Sequence, residues 1–245
     1  MDLAGNTVLI TGGASGIGFS IAERFSAAGS KVIICGRREE QLRKAQQKLP
    51  SAHIRVCDVS IESDRTALHQ WIAEEHPHIN MLVNNTGIQQ RFDVTAIKED
   101  WGYFQKEIQT NLEAPIHLSM LFIPLLAGKN NAAIVNVSSG LAFTPGAFAP
   151  IYSATKAGLH SFTMSLRQQV AAQHISVIEV APPAVNSDLG GAGLHTFGVP
   201  LDEFADAVFL GLANGDMEIG YGTSQKALRM SRDEIDEAFR RMNSR

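Results

Sequence analysis

At 245 residues, the chain has room for one large domain or two small ones; with 44% hydrophobic and 19% charged residues it can bury a core and is not a disordered chain. Its formal net charge of −4, with no basic run longer than Arg37-Arg38 or Arg240-Arg241, argues against nucleic acid as a partner. Its two cysteines, Cys35 and Cys57, are too few for a disulfide scaffold or a zinc finger and are expected as buried, reduced thiols.

Residues 7–10 are apolar and run into Gly12-Gly13, which predicts a buried strand. Residues 16–28 carry Ile17, Ile21, Ala22 and Phe25 at helical spacing and stop at Gly29. A strand over 31–35 and a helix over 39–49, ended by Pro50, come next. Residues 53–57 predict a third strand, 61–75 a helix stopped by Pro77, and 79–84 a fourth strand. A long helix is expected over 99–126, with Pro115 and Pro124 as bends or ends. Strands over 132–137 and 175–180 flank a helix over 152–173. A helix over 201–213 leads to a short strand over 218–221, and the charged tail, 231–245, reads as helical. The N-terminal MDLAGNTVLITGG is not a secretory signal, and the apolar run 118–127 is too short to span a bilayer. A cytoplasmic protein with no membrane partner is expected. Alternating helices and near-continuously apolar strands predict a parallel sheet covered on both faces, in a doubly wound α/β fold that forms one domain over 1–245. Ligands of such folds sit outside the carboxyl ends of the strands.

The first strand–helix turn reads Thr11-Gly12-Gly13-Ala14-Ser15-Gly16-Ile17-Gly18. Glycines there permit a tight turn, a close backbone approach to a pyrophosphate and close helix–strand packing, and the helix N-terminus favours the anion. The spacing is TGxxxGxG instead of the more usual GxGxxG; its place after the first strand weighs against a plain Gly-rich turn. Further on, Tyr152-Ser-Ala-Thr-Lys156 puts a phenol and an ammonium one helical turn apart. A nearby cation is expected to lower the phenol's pKa from about 10, which suits acid–base work. A YxxxK alone would more often be a surface pair. Here the strand before it runs into Ser138-Ser139, and Ser139 can place a hydroxyl at the same sheet edge.

With TGGASGIG at 11–18, CDVS at 57–60, NNTG at 84–87, Asn111, Ser139, YSATK at 152–156 and PPAVNS at 182–187, the chain resembles the short-chain dehydrogenase/reductase family over nearly its whole length. The resemblance implies a Rossmann fold with a seven-stranded sheet in the order 3-2-1-4-5-6-7. It implies that Tyr152 is the proton donor or acceptor, that Lys156 lowers its pKa and holds the nicotinamide ribose, that Ser139 binds the reacting oxygen and that Asn111 positions a water near Lys156. It also implies cofactor contacts at Gly12, Ser15, Gly16, Ile17, Gly18, Arg37, Arg38, Asp58, Val59, Asn85, Gly87, Val185 and Ser187, besides Tyr152 and Lys156. Thr86 stands where the family has Ala, and Pro183 where it has Gly; Pro183 removes a backbone donor near the nicotinamide. Pro182-Pro183, with IICGRREE and IGYG, resembles a DltE-like subgroup of oxidoreductases.

The end of the second strand selects the cofactor in this fold, and an acidic residue there favours NAD. That position is Gly36, followed by Arg37 and Arg38, whose guanidinium groups suit a phosphate. NADP(H) is therefore expected over NAD, although both arginines also fit a solvated helix start. Asp58 resembles an adenine contact and reads equally as a helix-start residue. The pocket is expected from 88–92, 141–148 and 189–197, with 182–200 covering the substrate. Leu141, Phe143, Phe148, Leu189, Leu194 and Phe197 make it apolar, and Arg91 is its one cation. A ketone or aldehyde with an apolar substituent fits better than a phosphorylated sugar. No metal is expected: His76-Pro-His78 reads as a surface loop, His160 as helix packing and His195 as a loop residue. The expected activity is an NADPH-dependent carbonyl reductase. The alternatives are an NAD-dependent alcohol dehydrogenase and a catalytically silent NADP-binding regulator. The resemblance also implies a homodimer or homotetramer.

Overall fold

In the computed structural model, which describes residues 1–191 and 193–244, seven short strands lie parallel in one sheet. They are β1 (Thr7–Thr11), β2 (Lys31–Gly36), β3 (His53–Val56), β4 (Met81–Asn84), β5 (Ala133–Val137), β6 (Ser176–Ala181) and β7 (Glu218–Gly220). Their order is β3-β2-β1-β4-β5-β6-β7, as expected. Along the central strands, alternate side chains enter different cores, because successive residues point to opposite faces. Val8 and Ile10 join one cluster with Ile21, Phe25, Phe204 and Val208. Leu9 joins the other with Leu68, Ile72, Leu118, Phe122 and Leu166. The first face is therefore covered by α1 (Gly16–Ala27), α2 (Glu39–Lys48) and α7 (Leu201–Asn214). The second is covered by α3 (Glu62–Glu75), α5 (Ala114–Leu126) and α6 (Pro150–Gln169). Burial on both faces explains why the strands read as apolar runs without alternation.

The expected single helix over 99–126 is instead three segments. α4 (Trp101–Ile108) passes through a wider π-helical turn, Gln109–Glu113, into α5. Pro115 has no N–H, so it cannot donate to the Asn111 carbonyl as an α-helix requires. The Thr110 hydroxyl donates to the Lys106 carbonyl at 2.7 Å, and the Asn111 amide is held elsewhere, as described below. Pro124 falls in the last turn of α5 and does not break it. Two short elements escaped the sequence pattern: the 3-10 turn Gly140–Ala142 and α8 (Thr223–Ala227). Both are below the length at which periodicity is visible. The tail forms α9 (Arg232–Asn243), opened by a capping box between Ser231 and Glu234. Ala192, in the expected covering segment, and Arg245, at the end of the expected tail helix, lie outside the described residues. Among the described residues no helix is long and apolar enough to cross a membrane.

The switch point falls at β1, whose neighbours are β2 on one side and β4 on the other. A cavity of about 1320 Å³ opens there and follows the carboxyl ends of the strands.

Candidate active site

At one end of the cavity, Gly12 and Gly16 take left-handed backbone angles, φ +66° and +54°. A Cβ on Gly12 would lie 3.1 Å from Thr86; one on Gly18 would lie 2.3 Å from Asn85 Nδ2. Bare backbone is therefore required where the turn meets β4. Ser15 stands at the N-cap of α1 without a side-chain capping bond, and no acidic residue lies in the first turn. The N–H groups and the positive end of the helix dipole thus face the cavity uncompensated. Thr86 Oγ1 is buried there without a hydrogen-bond partner. A left-handed glycine cradle, an open helix N-terminus and an orphaned hydroxyl fit a dinucleotide pyrophosphate. Ser15, Ile17, Val59, Gly87, Val185 and Ser187 line the same cavity. Asn85 lines it too, but its amide is committed to the scaffold, donating to Thr11 O at 2.9 Å and Gly12 O at 3.3 Å.

Gly36 ends β2 with open space around it: a Cβ there would have Leu42 Cδ2, 3.9 Å away, as its nearest neighbour. Arg37 and Arg38 are exposed and border the cavity. Glu39 and Glu40 pair instead with Arg43 and Lys44, one turn along α2. Asp58 is held by Ser60 and by Lys106, whose Nζ is 3.1 Å away. Burial pushes its carboxyl up, but those bonds outweigh the burial and hold it below the usual range.

The other expected groups converge further along. Tyr152 and Lys156 lie one turn apart near the start of α6, which Pro150 opens. Lys156 Nζ donates to the Val137 carbonyl at 2.7 Å, at the end of β5. A Cβ on Gly87 would lie 3.6 Å from both Lys156 Nζ and Asn111 Oδ1. Asn111 is fully buried in the π turn, and its amide clamps Ile88: Oδ1 accepts from Ile88 N at 2.9 Å and Nδ2 donates to Ile88 O at 2.8 Å. Its side chain thus fixes the β4–α4 loop. Ser139 lies near enough to the Tyr152 phenol to oppose its rise in pKa, and its Oγ accepts from Leu141 N at 3.1 Å. Ser138 turns away, as strand alternation predicts, and donates to Glu179.

The electrostatics correct one expectation. The Tyr152 phenol stands above its usual value, not below it. Burial pushes the phenol up to about 12, with Ser139 opposing and the charge of Glu107 assisting the rise. Burial likewise pulls Lys156 down to about 8, with Glu107 and Glu179 opposing. The ammonium points at the Val137 carbonyl, and its nitrogen lies 5.7 Å from the centre of the phenol ring. Burial is the largest influence on both groups.

Two carboxylates escaped the sequence reading. Glu107 of α4 is fully buried; Oε1 accepts from Gln90 N at 2.9 Å and Oε2 has no hydrogen-bond partner. Burial raises its carboxyl to about 7, against the Gln90 bond and the charge of Lys156. Glu179 of β6, also fully buried, joins Ser138 to His160 Nδ1 at 2.7 Å. Glu179 is the one charged residue within a strand otherwise apolar, a signal that could have exposed it.

Other readings change as well. His76 is buried against His53 and Trp71, not on a surface loop, because the chain after α3 turns inward to enter β4. Among the described residues no three potential ligands gather to hold a metal. His195 is buried against Arg91. Phe143 leaves the expected pocket wall to pack on His160, and Leu194 does not line the cavity. Cys35 and Cys57 are buried and free, as expected.

Residues 6–194 match the family described as short chain dehydrogenase. The chain is 43% identical, over its whole length and 99% of the relative's, to an uncharacterized oxidoreductase DltE of Bacillus subtilis. A short-chain dehydrogenase from Sphingobium yanoikuyae in complex with NADPH superposes with a TM-score of 0.81 at 25% identity, over 95% of this chain and 93% of that one. A short-chain dehydrogenase/reductase from Burkholderia phymatum in complex with NAD shares the fold, with a TM-score of 0.87 at 19% identity over 97% and 96%. This chain belongs to the short-chain dehydrogenase family and is an oxidoreductase of that family. The resemblance read from its motifs extends to the DltE-like relative.

Proposed function

We propose that the protein is an NADPH-dependent reductase of ketones or aldehydes, with Tyr152, Ser139, Lys156 and Asn111 as its catalytic set. The observation that carries the reading is the convergence of Tyr152, Ser139 and Lys156 in the cavity that begins at the glycine cradle. The nicotinamide, when bound, supplies the hydride to the carbonyl carbon. Ser139 donates a hydrogen bond to the carbonyl oxygen and orients it. Tyr152 gives its phenolic proton to that oxygen as negative charge develops, so carbonyl, hydride and proton together make the alcohol. The phenol is protonated at neutral pH and so stands in the donor state, while burial, which pushes it up to about 12, makes it a weaker acid than a free phenol. Lys156, anchored on the Val137 carbonyl, holds the cofactor ribose. Asn111 positions the loop around Ile88, and through it the wall beside Lys156.

The cofactor preference rests on Gly36, which presents no carboxylate, and on Arg37 and Arg38, which suit the 2′-phosphate of NADPH. Asp58 and Val59 flank the adenine end, and Val185 and Ser187 the nicotinamide end. The seven strands of one sheet support a single catalytic domain over 1–245, with 182–200 as the covering segment and 231–245 as its tail. Trp101, Met120 and Met164, all exposed on α4, α5 and α6, support a homodimer or homotetramer. Two free, buried thiols suit the reducing cytoplasm.

The test is the rate of NADPH and NADH consumption over a panel of ketones and aldehydes. Turnover with NADPH at higher kcat/KM than with NADH supports the reading. A preference for NADH, or binding of NADPH with no turnover of any carbonyl, overturns it.

A further inference from the structure

The far end of the cavity has a polarity of its own, contributed by the β4–α4 loop and the segment after β6. Arg91 lies on that loop, exposed at the cavity wall. Among the described residues it forms no ion pair, although ten other pairs occur, and the one acid that also lines this end, Asp188, does not reach it. Neutral groups hold it in place. Its guanidinium stacks over the Phe148 ring, 4.8 Å from the centroid. Its Nε lies 3.4 Å from Gln89 Oε1, and its NH2 lies 3.3 Å from His195 Nε2. A guanidinium only donates, so the His195 nitrogen that faces it is the acceptor and the ring is neutral. Burial, followed by the charge of Arg91, holds the His195 ring below its usual range, in keeping with that assignment.

An aromatic face and a neutral imidazole orient a cation without neutralising it. Such a cation at the wall of a largely apolar pocket is complementary to an anion, since a carboxylate gains a charge-assisted bond there that a neutral group does not. Leu141, Leu189, Phe197 and Met230 line the same cavity. Lys226 and Arg241 also line the cavity, but only Arg91 is held by both an aromatic ring and an imidazole, and its planar fork matches a carboxylate. We propose that Arg91, oriented by Phe148 and His195, is an anion-binding subsite for substrate, and that the substrate is a carbonyl compound bearing a carboxylate on an apolar chain. The assignment rests on the reading of this cavity as the site of carbonyl reduction.

The subsite is tested apart from that reading by binding. The full chain in saturating NADP⁺ is titrated calorimetrically with octanoate and with octanamide, which differ only in charge and the head group. The charge-assisted bond corresponds to about 10- to 100-fold tighter binding of octanoate. Arg91→Gln brings the two ligands to within about twofold, and Arg91→Lys keeps part of the preference because it retains the charge and loses the planar fork. Equal affinities in the wild type, or a preference that survives in Arg91→Gln, overturn the subsite. In turnover, an oxo acid is expected to exceed its methyl ester in kcat/KM, and the difference to vanish in Arg91→Gln. Equal reduction of acid and ester overturns the substrate class while leaving carbonyl reduction intact. Failure to reduce any carbonyl sinks the reductase reading, and the octanoate comparison still decides the subsite.

Discussion

The two ends of the cavity are built in different ways. The glycine-turn end is made of backbone and strand termini that are neighbours in one sheet: Thr11 Oγ1 takes the N–H groups of Asn85 and Thr86, which ties β1 to β4. The Arg91 end is made of side chains from separate loops; Arg91 and His195 are 104 residues apart in the chain. The first end reads a group common to every reaction of the family, and sheet geometry supplies it. The second is the end proposed to read the particular substrate, and loops are free to change without disturbing either hydrophobic layer. Tyr152, Ser139 and Lys156 stand where the two ends meet.

Substitution at that meeting point has the largest expected effect. Tyr152→Phe removes the proposed proton donor and is expected to lower kcat by about 10²–10⁴-fold. Cofactor affinity, measured by fluorescence titration, should stay close to wild type. Near-normal kcat would remove Tyr152 from the acid role. Lys156→Ala is expected to weaken cofactor binding as well as kcat, because one ammonium serves both; loss of kcat at full cofactor affinity would separate those roles.

A smaller effect should be confined to the glycine-turn end. Arg37→Ala is expected to lower kcat/KM for NADPH by up to about 10- to 150-fold and to leave NADH nearly unchanged, with Arg38 able to soften the loss. Gly36→Asp should repel the 2′-phosphate and improve NADH. Equal losses with both cofactors after Arg37→Ala would break the proposed division of labour between the two ends.

The smallest effect concerns Glu107, buried behind the β4–α4 loop at Gln90. Burial raises the Glu107 carboxyl from 4.5 to about 7, so across that window the native state keeps a proton that the unfolded chain has lost. Stability is therefore expected to fall as pH rises from about 4.5 to about 7 and then to level off. Glu107→Gln keeps an acceptor for Gln90 and removes the titration. Urea denaturation at pH 5 and pH 8 should show the variant gaining on the wild type by about 2–3 kcal/mol at the higher pH. An equal difference at both pH values would show that Glu107 does not titrate in this window.

The order of strands and helices, the two-layer cover and the glycine turn were legible in the residues themselves. Each depends on a pattern local to one element or one turn: apolar runs where both faces are buried, helical spacing, glycines where a Cβ would collide. Tyr152 and Lys156 belong to the same class, since four residues on one helix are neighbours whatever surrounds them. Packing alone decided the rest. The π turn at Asn111 depends on a clamp to Ile88 from another loop. The positions of the Tyr152 and Lys156 protons depend on burial, and so ran against the expectation drawn from their spacing. Glu107, Glu179 and the Arg91–His195 contact join groups that are distant in the chain, and no local period records them. A side chain's charge state and partners follow from which surfaces meet and how much water they exclude, and those are properties of the folded chain as a whole.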